Sequence, residues 1–189
     1  MGGMKVGVLA LQGDFREHGL VLADAGETPI EVRTPDDLAE VDALVIPGGE
    51  STAIGRLARL YGLVEPIRER AAAGMPMLGT CAGMIVMADR VEGGEPLLSL
   101  VDVTVRRNAY GRQVDSFETD VDVDGVGPVR AVFIRAPWVD QVGSDVKVLA
   151  EHADRPVVLE QGNLVVCAFH PELSGDPRLH EYVLQKVAG

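Results

Sequence analysis

Pro76-Met77-Leu78-Gly79-Thr80-Cys81-Ala82-Gly83-Met84-Ile85-Val86-Met87-Ala88-Asp89 (PMLGTCAGMIVMAD) contains the turn on which the reading of this chain hinges. Pro76 to Thr80 is a short apolar run that reads as a buried strand. It leads straight into Cys81, and Ala82 to Asp89 follows as a helix. Gly79 and Gly83 flank the cysteine and permit a sharp turn. Upstream, the same alternation recurs. Lys5 to Leu11 (KVGVLAL) is a strand, and Asp14 to Ala25 is a helix stopped at Gly26. Thr28 to Arg33 is a second strand, and a short helix runs from Thr34 to near Val41. Ala43 to Ile46 is a third strand, closed by Pro47-Gly48-Gly49. Ser51 to Tyr61 and Val64 to Ala73 are helices, the latter stopped at Gly74. Strands alternating with helices in this way predict a three-layer α/β fold, a mostly parallel central sheet with helices on both faces.

Beyond Gly93-Gly94 the character changes. Val101 to Arg106, Ser116 to Val123, Val129 to Arg135, Val146 to Glu151, Val157 to Glu160 and Leu164 to Phe169 read as strands joined by short turns. They form an added antiparallel portion, and a last helix runs from about Pro177 to Val187. With no repeat, linker or low-complexity stretch, residues 1–189 form one domain, with residues 1–3 expected as a flexible extension.

The composition excludes several classes. Hydrophobic residues make up 47% and charged residues 24%, so the chain is globular. The formal net charge is −12, with no long basic run, so no nucleic-acid partner is expected. No apolar run is long enough for a membrane span, and no secretory signal is evident. Two distant cysteines, Cys81 and Cys167, imply no disulfide framework and fit a reducing cytoplasm.

The chemistry concentrates in two segments about ninety residues apart, Gly79-Thr80-Cys81-Ala82-Gly83 and Phe169-His170-Pro171-Glu172. A cysteine on a strand-to-helix turn sits like the nucleophile of an elbow motif. The start of the following helix offers its positive end and its N–H groups to sulfur and to a developing oxyanion. His170 follows an apolar strand, where ligands gather in open α/β sheets. Pro171 biases it toward extended backbone, in which His170 and Glu172 point the same way. Glu172 then orients one imidazole nitrogen while the other takes the thiol proton. A lone cysteine at a strand end is ordinarily core, and a His-Pro-Glu turn is ordinarily surface. Together they make a Cys-His-Glu site. Pro47-Gly48-Gly49-Glu50-Ser51-Thr52 is a third element, two glycines that let backbone approach a ligand, with Ser51 or Thr52 as the helix cap. His18 and His180 on helices, His152 near a strand end and Cys167 in an apolar strand carry no ligand spacing, so no metal is expected.

With these residues placed, the chain from Met4 onward resembles the class I (triad) glutamine amidotransferases, whose fold is flavodoxin-like. Within them it is similar to the glutaminase subunits of pyridoxal phosphate synthases. The resemblance rests on VGVLALQG (Val6 to Gly13), REH (Arg16 to His18), PGGEST (Pro47 to Thr52) and GTCAG (Gly79 to Gly83). It rests further on RNxxGRQVDSFE (Arg107 to Glu118), FIRAP (Phe133 to Pro137) and FHPEL (Phe169 to Leu173). It implies hydrolysis of L-glutamine to glutamate and ammonia through a γ-glutamyl thioester, with Cys81 as nucleophile, His170 as base and acid, and Glu172 as its orienter. It further implies oxyanion donors at Gly49 and Ala82, and substrate contacts from Gly49, Glu50, Ser51, Arg107, Ile134 and Arg135. Arg107 or Arg135 would pair with the substrate's α-carboxylate. No cofactor is implied. The implied partner is a separate (β/α)-barrel synthase subunit that receives the ammonia for vitamin B6 biosynthesis.

Two alternatives stay open on the residues. One is a glutaminase serving histidine, purine or anthranilate synthesis, against which RNxxGRQVDSFE argues. The other is a non-enzymatic flavodoxin-like protein with a redox-sensing Cys81, which needs no His-x-Glu partner.

Overall fold

The apolar runs become strands buried along their length: Ala43 to Ile46, Met77 to Thr80 and Leu164 to Cys167 have no exposed residue. The computed structural model describes residues 2–107 and 116–187. In chain order the first half holds β1 (Lys5–Leu9), α1 (Phe15–Asp24), β2 (Thr28–Val32), α2 (Pro35–Ala39), β3 (Ala43–Ile46), α3 (Ser51–Leu60), α4 (Val64–Ala72), β4 (Met77–Thr80) and α5 (Ala82–Met87). The second half holds β5 (Ala88–Glu92), β6 (Val101–Arg106), β7 (Ser116–Val123), β8 (Gly127–Ile134), β9 (Trp138–Val142), β10 (Lys147–His152), β11 (Arg155–Gln161), β12 (Leu164–Cys167), α6 (Pro171–Ser174) and α7 (Arg178–Leu184).

A seven-stranded sheet in the order β10-β11-β12-β4-β3-β1-β2 forms the centre. From β2 to β12 every pairing is parallel, while β10 and β11 add an antiparallel edge. The chain steps from β1 outward to β2 and then back past β1 to β3. Right-handed crossovers in opposite directions put α1 on one face and α2 on the other. The steps to β3 and β4 continue in that second direction, which keeps α3 and α4 with α2. The switch in direction opens a crevice at the carboxyl ends of β1 and β3. Two small sheets, β5-β6-β9 and β7-β8, complete the molecule.

Local signals set several boundaries. Thr34 accepts from the Asp37 N–H while the Asp37 carboxylate accepts from the Thr34 N–H, a reciprocal cap with Pro35 at the first helical position. Tertiary pairing overrides the sequence elsewhere. The helix expected to reach Asp89 ends at Met87, and Ala88 to Glu92 pairs with β6 instead. Trp138 to Val142, outside the expected strands, forms β9 against β6. Neither segment has a strong intrinsic strand pattern; an open edge on β6 recruits both.

Phe133 and Phe169 are fully buried with ring centroids 5.5 Å apart, so the hairpin β7-β8 is anchored to the end of β12. α5 lies close on the sheet. A Cβ on Gly83 would collide with the Ile46 carbonyl oxygen of β3, and one on Gly79 would stand 2.7 Å from the Gly83 oxygen.

The core also holds polar groups. His18 of α1 and His180 of α7 are buried and joined, Nδ1 of His18 to Nε2 of His180, at 2.8 Å. This contact also puts α7 on the same face as α1. Burial keeps both imidazoles neutral. It pulls His18 well below its usual 6.5, helped by the nearby charges of His180 and His170. It pulls His180 down to about 4 against the opposing attraction of Asp176.

Two outcomes follow from this packing. Gly83→Ala is expected to cost about 1–3 kcal/mol, the usual penalty of overpacking, read as a lower urea midpoint; an unchanged midpoint would mean that α5 gives way freely. The histidines set the second. Unfolded imidazoles bind protons below about 6.5, but folded His180 resists until about 4, and buried His18 likewise resists well below 6.5. The contribution of this pair to stability is therefore full above about 6.5 and drains as pH falls below it. A thermal midpoint flat from pH 6.5 to 4 would contradict it.

Candidate active site

Cys81 occupies the single residue between β4 and α5, with φ 52° and ψ −105°. A non-glycine residue in that region is strained, and such strain collects at reactive turns. The Cys81 N–H donates to the Cys167 carbonyl at 2.9 Å, which ties the turn to β12. Its Sγ lies 3.8 Å from the Ile134 carbonyl oxygen at the end of β8.

His170 emerges three residues beyond β12, and its N–H donates to the Val132 carbonyl at 2.8 Å. Extended backbone was expected through Glu172. Instead Pro171 opens the one-turn helix α6, with His170 preceding it and Glu172 in its first turn. The two side chains still meet, across a helical turn rather than along a strand. His170 Nδ1 and Glu172 Oε1 are 2.6 Å apart and both residues are buried. Asp14, from the loop after β1, places Oδ2 3.3 Å from the same Nδ1. The donor atoms of Asp14, His170 and Glu172 lie within 4.8 Å of one another, as two carboxylates around one imidazolium would.

The electrostatics follow from this grouping. Burial alone would lower the His170 pKa, but hydrogen bonds with Asp14, Cys81 and Glu172 outweigh it and push it up to about 12. Burial raises the Glu172 carboxyl against the pull of His170. Asp14, half-buried, is lowered chiefly by its hydrogen bond with His170. An imidazolium held beside a thiol is the arrangement that produces a sulfur nucleophile.

A cavity of about 630 Å³ opens over Cys81 and His170. Gly49, Glu50, Ser51, Ala82, Arg107, Ile134 and Arg135 line it, together with Asp14, Ile85, Ser116 and Leu173. Glu172 stands behind His170, outside the lining. Gly48 makes this convergence possible: a Cβ there would sit 2.5 Å from His170 Cε1 and 3.5 Å from Cys81 Cβ. The loop carrying it is tied to the one after β1, since the Asp14 N–H donates to the Gly48 carbonyl at 2.9 Å and the Glu50 N–H to Gln12 Oε1 at 2.7 Å.

The expected cap of α3 is corrected. Ser51 and Thr52 lie inside the helix, and Glu50 caps it, accepting from the Thr52 and Ala53 N–H groups. A longer, charged side chain reaches both amides and complements the helix N-terminus. Arg107 reaches Glu50 Oε1 at 3.2 Å and Thr52 Oγ1 at 3.3 Å. Of the stretch from Arg107 to Glu118, residues 108–115 lie outside the described residues.

Asp14 was missed because an Asp after a strand-ending glycine also reads as an ordinary turn. His18 and His180, read as unremarkable helical residues, are instead buried against each other and against the site. Thr80 Oγ1 lies 3.1 Å from His18 Nε2, and Glu172 Oε2 lies 3.3 Å from that same nitrogen. The REH stretch held the one available signal for His18. Cys167 is core, as expected.

Comparison with known proteins places the chain in a family. The model of the SNO glutamine amidotransferase family matches residues 8–189. A protein of Frankia alni named pyridoxal 5'-phosphate synthase subunit PdxT is 57% identical over 192 residues, covering 99% of this chain and 96% of its own. One of the same name from Mycolicibacterium vanbaalenii is 57% identical over 195 residues, covering all of both chains. A solved structure described as a glutamine amidotransferase superposes with a TM-score of 0.94 at 48% identity, covering 97% of this chain and 99% of its own. PurLQS from Thermotoga maritima shares the fold at a TM-score of 0.75 and 17% identity, covering 100% of this chain and 98% of its own. This chain belongs to the SNO glutamine amidotransferase family.

Proposed function

We propose that this chain is the glutaminase subunit of a pyridoxal phosphate synthase, hydrolysing L-glutamine and passing ammonia to a (β/α)-barrel synthase partner. The observation that carries the reading is the His170–Glu172 pair, 2.6 Å apart, set against the strained Cys81 turn at the base of an open cavity. The names of relatives more than half identical over the whole length support the choice of pathway.

The chemistry runs as acyl transfer. The Cys81 thiolate attacks the side-chain amide carbon of glutamine, and the carbonyl π electrons move onto oxygen. N–H groups of Gly49 and Ala82 receive that oxyanion. Protonated His170 gives its proton to the departing nitrogen as the C–N bond breaks, so ammonia leaves and a γ-glutamyl thioester remains. Neutral His170 then takes a proton from water as hydroxide adds to the thioester. The C–S bond breaks and glutamate departs, with Cys81 again a thiolate and His170 again protonated. Glu172 holds the imidazole through Nδ1, keeping its other nitrogen for the reacting groups. Arg107 or Arg135 pairs with the α-carboxylate, and Glu50, Ser51 and Ile134 shape the cavity around the rest. A free thiol nucleophile is best preserved in a reducing compartment, which supports a cytoplasmic location.

No helix among the described residues is long and apolar enough to cross a membrane.

Cys81→Ala is expected to abolish glutamate release from glutamine while the far-ultraviolet circular dichroism stays native; turnover by the folded variant would refute the nucleophile. The isolated chain should release glutamate slowly and more quickly once the synthase subunit is added. The peptide between Gly48 and Gly49 is held by one backbone hydrogen bond, from the Asp14 N–H to the Gly48 carbonyl, and by no side chain of its own, so a partner can reset it. Full activity alone, with no increase on adding the synthase, would rule this dependence out.

A further inference from the structure

The Cys81, His170 and Glu172 arrangement does not end at Glu172. Its Oε1 is engaged by His170, but its Oε2 is buried and accepts no hydrogen bond among the described residues. His18 Nε2 stands 3.3 Å from that oxygen, with both side chains fully buried. A buried carboxylate oxygen without a donor is costly, so which atom of His18 carries its proton matters.

The partners of His18 decide the tautomer. Suppose His18 carried its proton on Nδ1 and donated to His180 Nε2. A bare Nε2 lone pair would then face the Glu172 carboxylate, and His180 would bury an N–H on Nδ1 that has no partner. In the opposite arrangement His180 Nε2–H donates to His18 Nδ1. His18 Nε2–H then donates to Thr80 Oγ1, 3.1 Å away, and its positive end lies beside Glu172 Oε2, 3.3 Å from the same nitrogen. The only orphan left among these rings is the acceptor His180 Nδ1, which costs less than a buried donor and a lone-pair clash.

We propose that His18 is a positioning residue for Glu172, setting the positive end of its Thr80-bound Nε2–H beside the carboxylate's second oxygen, with His180 holding His18 in that tautomer. The proposal rests on the triad reading above and extends it two side chains into the core. Arg16-Glu17-His18, which the proposed chemistry left unused, thereby gains a role. The charged and titratable groups around this relay are few: His170, Asp14 and the buried Cys167 thiol face Glu172, His170 and His180 face His18, and Asp176 faces His180. Burial keeps both relay imidazoles neutral, so they donate without adding charge. Removing that N–H dipole from beside the carboxylate raises its pKa, so that at acid pH it is protonated sooner and loses its hold on protonated His170. Less thiolate then forms at Cys81 at the acid end of the range.

The test uses His18→Gln, which keeps a donor near the Nε2 position, and His18→Met, which fills similar space without one. Two readouts are taken: kcat and KM for glutamine with the synthase subunit present, and the pH dependence of Cys81 alkylation by iodoacetamide. Cys167 is fully buried, so alkylation reports Cys81. His18→Met is expected to lose about 10–100-fold in kcat, the range for residues that orient a reacting group's partner. KM should stay unchanged, and the acid limb of alkylation should move to higher pH. His18→Gln should recover most of both. Wild-type kcat and an unshifted limb in folded His18→Met would overturn the proposal, as would a folded His18→Gln as impaired as His18→Met. Should His18→Met fail to fold, His180→Met decides: it removes the group that fixes the tautomer, and an unshifted limb there refutes the relay. If the wild-type protein releases no glutamate, the glutaminase reading falls, while the alkylation profiles still report on His18.

Discussion

The parallel pairing of β12 with β4 is the contact on which the site depends. Cys167 lies opposite Thr80, and the Cys81 N–H closes on the Cys167 carbonyl at 2.9 Å. In this register the two strands end together, so the turn after β4 and the turn after β12 leave the sheet side by side. A slip of one residue would flip every side chain of β12 between the sheet's faces. It would also displace His170, whose own N–H is fixed to Val132. The geometry of Cys81 and His170 is thus a consequence of backbone hydrogen bonding several residues away.

Around that contact the fold supplies the rest in layers. The reversal of direction between β1 and β3 opens the crevice that the loops after those strands line. Asp14 and Gly48 meet there through a backbone hydrogen bond, and the missing side chain at Gly48 leaves space for the imidazole. The hairpin β7-β8, held by the packing of Phe133 on Phe169, brings Ile134 and Arg135 over the thiol from outside the main sheet. Beneath the site, α1 and α7 converge on its far side through His18 and His180. Catalytic groups, cavity wall and buried support therefore come from different layers, and each layer is fixed by its own packing.

Much of the fold was legible in the chain. Runs such as KVGVLAL, ALVI and LVVC are continuous and β-rich, and glycine or proline punctuates nearly every helix. Such signals survive because their burial and turn geometry are local requirements. Failures came where a neighbour decided. β5 and β9 exist because β6 offers an edge, and α6 exists because Pro171 can open a helix where an extended turn was equally permissible. Glu50 displaced Ser51 and Thr52 as cap because a carboxylate reaches two amides at once.

By itself the sequence determined the alternation of strands and helices, the strand-to-helix turn at Cys81, and the residue types able to perform thiol chemistry. These are set by periodicity, by glycine's freedom and by the short span between His170 and Glu172. Tertiary structure alone decided that Asp14 joins His170, that Arg107 meets Glu50, and that His18 and His180 lie under Glu172. Those contacts link residues from 57 to 162 positions apart, and no local preference encodes them. They arise because closing a parallel sheet brings distant strand ends to one edge, and because a buried polar group must find its partner wherever the packing has placed one.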